Sequence, residues 1–198
     1  MRSTRGKHRI ELSDIVFRAD PRSGDPAEVG RLARSTGFFS LEEVAVAVEL
    51  IETRLEKGGD SGYHFIFAER SGQMVGYACF GPVPCTLAGY DLYWIVVLDE
   101  FRGKGLGKRL LARTERVIAA AGGTRVYVET SCRGQYEPTR AFYERCGYRL
   151  EAVLKDYYAP GEDKAIYRKV LVGENTPERA GECERNGTQG SGDLGTAP

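Results

Sequence analysis

The sequence has 198 residues, 41% of them hydrophobic, and its formal net charge is zero. This size and composition suit one globular domain with tails, and the balanced charge gives no field that would favour nucleic acid or an anionic membrane. The unbroken apolar runs are far shorter than the roughly 20 residues of a membrane-spanning helix, and the basic N-terminus lacks the apolar segment of a secretory signal. We therefore expect a cytoplasmic protein with neither a membrane nor a nucleic-acid partner.

The cysteines and histidines do not form a recognisable metal site. The five cysteines are an odd number and contain no C-x-x-C pair, and only two histidines could complete a ligand set. His64 stands alone in a predicted strand, where a structural role is expected. The sequence thus predicts reduced cysteines and no bound metal.

The first third of the chain predicts one strand followed by two helices. Residues 15–17 are apolar and form the expected strand. Asp25 followed by proline is typical of a helix start, with the aspartate as N-cap. Ser40 with Glu43 three residues later predicts a capping box for a second helix, which the glycines from Gly58 end.

Three strands are predicted in the centre of the chain. Residues 63–69 and 74–80 alternate as strands and are joined by a hairpin turn at residues 70–73. The apolar run at residues 93–98 predicts a third, buried strand. An amphipathic helix is expected from about residue 104 to residue 121.

The stretch between this third strand and the helix reads Arg-Gly-Lys-Gly-Leu-Gly-Lys at residues 102–108. Glycines let the backbone approach a ligand closely, and the first N–H groups of a helix point outward without partners. Arg102, Lys104 and Lys108 oppose the helix macrodipole unless an anion compensates for them. A phosphate site is therefore predicted here.

Two common phosphate loops do not fit this stretch. A Walker loop requires Ser or Thr after Gly-Lys, but Arg109 follows Lys108. The dinucleotide pattern G-x-G-x-x-G requires a glycine where Lys108 or Leu110 stands.

The last part of the chain predicts a strand, a short helix and two more strands. Residues 124–130 alternate as a strand, and residues 137–146 suit a helix that Gly147 ends. Strands are expected near residues 153–154 and at residues 165–172.

The regions outside this series of elements lack the content of a folded core. Residues 1–12 predict a flexible arm, and the glycine-rich segment from residue 173 to residue 198 has no aromatic residue and predicts a disordered tail. One domain is therefore expected over residues 14–172.

Two motifs resemble those of the GNAT N-acetyltransferases. Arg102, Gly105 and Gly107 are similar to the family signature R/Q-x-x-G-x-G/A, and Ala-Phe-Tyr-Glu-Arg-Cys-Gly-Tyr at residues 141–148 is similar to the end of its penultimate helix. The predicted element order also matches. The resemblance implies an α/β (α+β) GNAT fold, with a mixed central sheet of about six to seven strands, helices on both faces and a splayed central strand pair.

The same resemblance implies acetyl-CoA as the co-substrate and assigns roles around it. The backbone of Ile95, Val96 and Val97 would hold the pantetheine arm, and Tyr143 would protonate the CoA thiolate. The pyrophosphate would be held by Arg102, Gly103, Lys104, Gly105, Leu106, Gly107 and Lys108. Tyr136 stands where members often carry asparagine, so that pantetheine contact would fall to Thr139 or to another hydroxyl.

Three routes for deprotonating the acceptor amine remain open. Asp91 aligns with the glutamate that histone-type members use on the strand before the loop. Glu129 ends the neighbouring strand and could face the same cleft. A water molecule is the third route.

The acceptor is the least determined part of the sequence analysis. Phe38 and Phe39 either line the acceptor groove or form a hydrophobic staple with the core. Residues 156–164 predict an acidic loop in which Tyr157 and Tyr158 close over a cationic amine. A primary amine of a small molecule, an amino acid or a peptide would suit it.

The expected activity is direct acetyl transfer in a ternary complex. A catalytically silent CoA-binding module and a protein acetyltransferase, acting on peptide N-termini or lysines, are the alternatives. Dimers are common in the family, so a homodimer is a further expectation.

Overall fold

The structure, a computed structural model, describes residues 12–171. The predicted disordered tail and all but the last residue of the predicted arm lie outside these residues. The described part contains the following elements: β1 (Ile15–Arg18), α1 (Asp25–Ser35), α2 (Leu41–Lys57), β2 (His64–Arg70), β3 (Gln73–Pro82), β4 (Gly89–Val97), α3 (Leu106–Ala120), β5 (Arg125–Ser131), α4 (Glu137–Arg145), β6 (Arg149–Ala159) and β7 (Glu162–Val170).

The seven strands form one sheet in the order β1-β2-β3-β4-β5-β7-β6. β4 and β5 run parallel, and the neighbouring strands in every other pair are antiparallel. This mixed sheet confirms the predicted fold class. It also places β4 and β5 together at the centre.

The central pair separates halfway along its length. β4 and β5 are paired from Gly89 with Arg125 to Leu92 with Val128, and the pairing goes no further. β5 continues to Ser131 along β7, while β4 continues to Val97 along β3. The predicted splayed pair is therefore present, and the gap between its two strands opens towards the N-terminus of α3.

A β-bulge lies where the two strands begin to separate. Cys79 pairs with Trp94 and Phe80 pairs with Leu92, so Tyr93 is the extra residue on β4. Such a bulge bends its strand and changes the direction in which the next side chains point. It marks the point at which β4 turns away from β5.

The helices cover both faces of the sheet with separate hydrophobic clusters. α1 and α2 pack on β2, β3 and β4, with Leu32, Ile51 and Phe67 in the interior. This side of the sheet is named the α1–α2 face. α3 and α4 pack on the opposite side, named the α3–α4 face, where Leu110 and Ile118 are fully buried.

The start of α2 confirms the predicted capping box. Ser40 Oγ accepts a hydrogen bond from the Glu43 N–H at 3.1 Å, and Glu43 Oε2 accepts one from the Ser40 N–H at 2.7 Å. This reciprocal pair satisfies two N–H groups that the helix itself leaves without partners.

The predicted N-cap of α1 is wrong. Gly24 is the N-cap and has no side chain to donate or accept, whereas Asp25 is already the first helical residue. The Asp25 carboxylate is buried and accepts hydrogen bonds from the Arg18 guanidinium at 2.8 Å and from the Arg22 N–H at 2.7 Å. Because a buried charge needs a paired partner, the ion pair with Arg18 holds this carboxylate.

The loop predicted at residues 156–164 is also wrong, because most of it belongs to a hairpin. β6 extends to Ala159 and β7 begins at Glu162, with Gly161 in the left-handed region at φ 80°. Asp156 accepts a hydrogen bond from the Gly161 N–H at 2.6 Å, and Asp163 accepts one from the Asp156 N–H at 3.0 Å. These two acids therefore hold the turn of the hairpin in place.

Neither a membrane span nor a metal cluster appears in the described region. No helix within residues 12–171 is both long and apolar enough to cross a membrane. The same residues contain no group of three or more His, Cys, Asp or Glu side chains placed to hold a metal ion.

Candidate active site

The start of α3 is built to receive an anion. The chain passes through a 3-10 turn at Asp99–Phe101 and reaches Gly103 and Gly105, both with positive φ. Gly105, at φ 94° and ψ 0°, is the N-cap and brings no side chain to the first-turn N–H groups. Since the first turn also carries no acidic residue, these N–H groups are left for a ligand.

Three cations surround this helix end. The Arg102 guanidinium lies 3.0 Å from Asp99 and 4.8 Å from the ring centre of Phe38. Lys104 and Lys108 are exposed, and neither forms an ion pair within residues 12–171. The three predicted phosphate-binding cations are thus together and accessible, whereas the Leu106 side chain is fully buried and could contribute only its backbone N–H. The chemistry of this donor set fits a pyrophosphate.

The other arginines of α3 have structural partners. Arg113 lies over the Phe17 ring at 4.1 Å, and Arg109 lies over the same ring at 5.3 Å. Arg109 also donates a hydrogen bond to the Leu12 carbonyl, which holds the start of the described chain against α3. Arg109 and Arg113 are thus engaged by Phe17 and Leu12, away from the predicted phosphate site.

Ile95, Val96 and Val97 lie on the separated part of β4. The Val96 side chain is buried in the α1–α2 cluster, and Ile95 and Val97 pack on the opposite cluster. Beyond Leu92, β4 has no ladder partner on its β5 side among the described residues. Leu98 donates its N–H to the Val75 carbonyl on β3, so by the alternation along a strand the Val96 backbone also faces β3. The backbone groups of Ile95 and Val97 therefore face the side where β5 has turned away, and the Val97 carbonyl there accepts a hydrogen bond from Arg102 at 3.4 Å.

Tyr143 lies on α4 and is 5% exposed. Its ring packs against Phe142, Tyr148 and Tyr167, with ring centres 5.3, 5.5 and 6.4 Å away. Burial raises the pKa of its hydroxyl above the ordinary value for tyrosine, and the neighbouring Cys146 adds to this effect. The phenol therefore stays protonated at neutral pH and can act only as a proton donor.

Tyr136 takes up a role that the sequence did not predict. Its hydroxyl donates a hydrogen bond of 2.9 Å to the Phe38 carbonyl, and the two rings meet edge to face at 5.6 Å. It thereby joins the α1–α2 connection to the start of α4. Thr139, the alternative for the pantetheine contact, is partly buried in the first turn of α4.

Phe38 and Phe39 point to different neighbours. Phe39 packs edge to face on Trp94 at 4.7 Å and belongs to the α1–α2 cluster. Phe38 instead lies between Arg102 and Tyr136, at the rim of the phosphate loop. Phe39 therefore fits the core interpretation, and Phe38 connects the loop to the α1–α2 wall.

Asp91 and Glu129 lie on β4 and β5, and both point to the α1–α2 face. Leu92 and Val128, their sequence neighbours, belong to the α3–α4 cluster, and side chains alternate between faces along a strand. The pKa of Asp91 is raised, first by burial and second by the negative charge of Glu129, while Lys164 opposes the shift. The two candidate bases therefore lie close together on one face of the sheet, and the surface that they share is named the groove.

Glu129 differs from Asp91 because it has a cation of its own. Lys164 Nζ lies 2.6 Å from Glu129 Oε2, and the Lys164 side chain is only 7% exposed. The ammonium group also lies 3.5 Å from the ring centre of Tyr157. Asp91 forms no ion pair within residues 12–171, and burial together with the charge of Glu129 outweighs the opposing effect of Lys164 on its pKa.

Lys164 was missed because the last strand was predicted to begin at Ala165. β7 begins at Glu162, which places Lys164 inside the strand and on the same face as Glu129. Tyr157 and Tyr158, predicted as substrate contacts, stand beside it on the half-exposed part of β6. Tyr93, at the bulge, is the other missed neighbour of Asp91, and burial followed by that carboxylate raises its pKa to about 12.

Comparison with known proteins agrees with the fold. The chain matches the Acetyltransferase (GNAT) family over residues 32–148. It is 31% identical over 137 residues to an uncharacterised N-acetyltransferase of Chlorobaculum tepidum, covering 69% of this chain and 78% of the relative. The protein therefore belongs to the GNAT family, and its enzyme class is N-acetyltransferase.

Solved structures show the same architecture. A GNAT-family protein from Desulfovibrio desulfuricans superposes with a TM-score of 0.78 at 46% identity, covering 79% of this chain and 98% of that one. An aminoglycoside 6'-N-acetyltransferase in complex with coenzyme A shares the fold at a TM-score of 0.66 and 19% identity, covering 82% and 99% of the two chains.

Proposed function

We propose that the protein transfers an acetyl group from acetyl-CoA directly to a primary amine while both substrates are bound. The observation that carries this proposal is the separation of β4 from β5 beyond Leu92. It leaves an open strand edge between an uncapped helix N-terminus and a groove that contains Asp91. Family membership supports acetyl-CoA as the donor.

The donor would lie along the open edge of β4. The first-turn N–H groups of α3, with Arg102, Lys104 and Lys108, would hold its pyrophosphate. The backbone of Ile95 and Val97, which faces this edge, would hold the pantetheine arm and orient the thioester carbonyl. Acetyl-CoA supplies the activated acetyl group, and positioning of this kind can remove about 7–11 kcal/mol of the barrier.

Two residues would move the protons. Asp91 would accept the proton that the amine nitrogen loses when the new C–N bond forms. Tyr143 would donate a proton to the sulfur as the C–S bond breaks. The partial burial of Asp91 supports this assignment, since a raised pKa makes a carboxylate a better base near neutral pH.

Glu129 is the weaker candidate for the base. Its carboxylate is held at 2.6 Å by Lys164, so taking up a proton would break an ion pair. A water molecule between the amine and Asp91 is compatible with the same geometry. The groove suits an amine of a small molecule, an amino acid or a peptide, because it is acidic, aromatic and open to solvent at Tyr157 and Tyr158.

Two measurements test the proposal. First, a thermal melt with acetyl-CoA at about 100 times its Kd should show about 2.7 kcal/mol of added stability, and dephospho-CoA and ATP should give less. Second, release of free thiol should depend on an added amine in a panel of small amines, amino acids and short peptides. A protein that melts higher with acetyl-CoA but releases no thiol with any amine would be a CoA-binding module instead.

A further inference from the structure

Lys164 is a buried lysine that lies beside Glu129 and Tyr157 on the α1–α2 face of the sheet. Lysine is almost never fully buried unless it is paired, and here 7% of the side chain is exposed although the neighbouring Glu129 side chain is 52% exposed. Burial is the largest single influence on the pKa of Lys164 and lowers it, but the hydrogen bonds to Glu129 and Tyr157 and the negative charge of Glu129 together outweigh it, so the pKa is raised and the group stays charged.

The surroundings of its ammonium group are those of a site for an organic cation. The nitrogen lies 2.6 Å from Glu129 Oε2, 3.5 Å from the ring centre of Tyr157 and 5.8 Å from that of Tyr158. A carboxylate combined with aromatic faces is the arrangement that proteins use to bind alkylammonium groups. In this protein a side chain of the same chain already fills it.

Asp91 stands next to this filled site. Asp91, Glu129 and Lys164 lie on β4, β5 and β7, three consecutive strands of the sheet, and all three side chains are on the α1–α2 face. The negative charge of Glu129 raises the pKa of Asp91, and the positive charge of Lys164 lowers it. An amine bound at Asp91 is therefore adjacent to the Lys164 ammonium group, which belongs to the protein and cannot dissociate.

We propose that Lys164 is a specificity-determining residue that selects acceptors whose reactive amine is their only positive charge. A second ammonium near the first would find Glu129 already neutralised and the Tyr157 face already covered. It would also meet the positive charge of Lys164 in a partly buried groove, where like charges repel more strongly than in water. This inference rests on the proposed function for the position of the acceptor at Asp91.

A purely structural role for Lys164 makes a different prediction. The ion pair to Glu129 joins β7 to β5, so its loss would lower the melting temperature whatever its role in binding. Only a specificity role changes the ratio of affinities for singly and doubly charged amines. The ratio, and not stability, is therefore the quantity to measure.

The test compares two amines of equal chain length on matched variants. Binding of butylamine and of 1,4-diaminobutane to the CoA-loaded full-length protein would be measured by calorimetry for the wild type, Lys164→Met and Lys155→Met. Lys155 lies on the same hairpin and also pairs with a carboxylate, Asp163 at 2.6 Å, but its side chain is 78% exposed. It is the control for removing one lysine charge from this hairpin.

Wild type and Lys155→Met should prefer butylamine, and Lys164→Met should shift the affinity ratio towards the diamine by about tenfold, the effect of one neighbouring charge. An unchanged ratio, or no binding of either amine to any of the three proteins, overturns the inference. If Lys164→Met does not fold, the neutral pair Glu129→Gln with Lys164→Met should lose the preference too. A shifted ratio without thiol release would leave the inference standing and reject the proposed catalytic function.

Discussion

Asp91 and Glu129 face the same groove from the two strands that diverge, and only Glu129 is neutralised by a lysine. Lys164 lies 2.6 Å from Glu129, whereas Asp91 is partly buried and retains a raised pKa. This difference separates two carboxylates that are both candidate bases from the sequence, beside a water-mediated route. It supports the proposal that Asp91 accepts the proton and that Glu129 balances the charge of Lys164.

Asp91→Asn should lower kcat/KM by about 10² to 10⁴, the usual contribution of a general base. Glu129→Gln is the matched control, because it also replaces one carboxylate of the groove by an amide, and its loss should be much smaller. The rate of thiol release at amine concentrations well below KM measures both. Equal losses in the two variants would contradict the assignment.

The pH dependence of kcat/KM should report the charges around Asp91. Those groups are Glu129 on β5, Lys164 on β7 and Tyr93 on β4. As the base must be deprotonated, activity should rise with pH through the raised pKa of Asp91. Glu129→Gln removes a like charge and should move this rise to lower pH, whereas Lys164→Met should move it to higher pH.

These profiles should be recorded with a weakly basic amine, so that the acceptor does not titrate in the same range. Lys155→Met serves again as the control for a lost lysine charge. If Glu129→Gln and Lys164→Met shifted the rise in activity in the same direction on the pH scale, Asp91 would be excluded as the titrating base.

The ionised Asp91 carboxylate should also lower the free energy of unfolding at neutral pH. Its pKa is raised in the folded protein, so the folded state binds the proton more tightly than the unfolded chain does. Stability contributed by this group is therefore present at low pH and is lost as the pH rises through the ordinary aspartate range to the raised value. Asp91→Asn should melt at a higher temperature than the wild type at pH 7, and this advantage should vanish below about pH 3.5.

Tyr143→Phe should lower kcat while leaving the fold intact. The substitution keeps the ring that packs against Tyr148 and Tyr167 and removes only the hydroxyl that would protonate the thiolate. Tyr167→Phe is the control from the same aromatic cluster, since it removes a hydroxyl that is bonded to Glu144 at 3.1 Å. A kcat that falls equally in the two variants would indicate a packing effect and not proton donation.

Two glycines of the phosphate loop should respond differently to alanine. Gly105 has a φ of 94°, a left-handed conformation that costs a residue with a Cβ about 1–2 kcal/mol. A Cβ at Gly107 would meet the Phe142 ring at 3.6 Å, an ordinary contact. Gly105→Ala should therefore weaken acetyl-CoA binding about tenfold or more, and Gly107→Ala should change it little. Calorimetric titration with acetyl-CoA measures both, and the reverse order would contradict the proposed loop geometry.

Local sequence signals predicted much of this protein because their physical causes lie within a few residues. The capping box of Ser40 with Glu43 and the glycines that begin α3 are pairs or short runs along the chain. Signals of this kind need no distant partner, so they were sufficient to indicate the family and to place the candidate phosphate loop.

The signals failed where partners are distant or where a strand is exposed on both sides. Asp25 looked like a cap, but Arg18 on the neighbouring strand holds its carboxylate. β6 is exposed along nearly all of its length, so it lacks the alternation of buried and exposed residues that reveals a strand. The sequence consequently predicts a loop at residues 156–164, where β6 and β7 form a hairpin.

The sequence by itself determined the family and the order of the elements, and it indicated the candidate phosphate loop and the α4 motif. Only the tertiary structure decided which carboxylate of the groove lacks an ion pair. That outcome depends on the contact between Glu129 and Lys164, which are 35 residues apart and meet only because β5 and β7 pair in this register. Charge balance in a groove is a sum over neighbouring strands, and no single segment of the chain contains it.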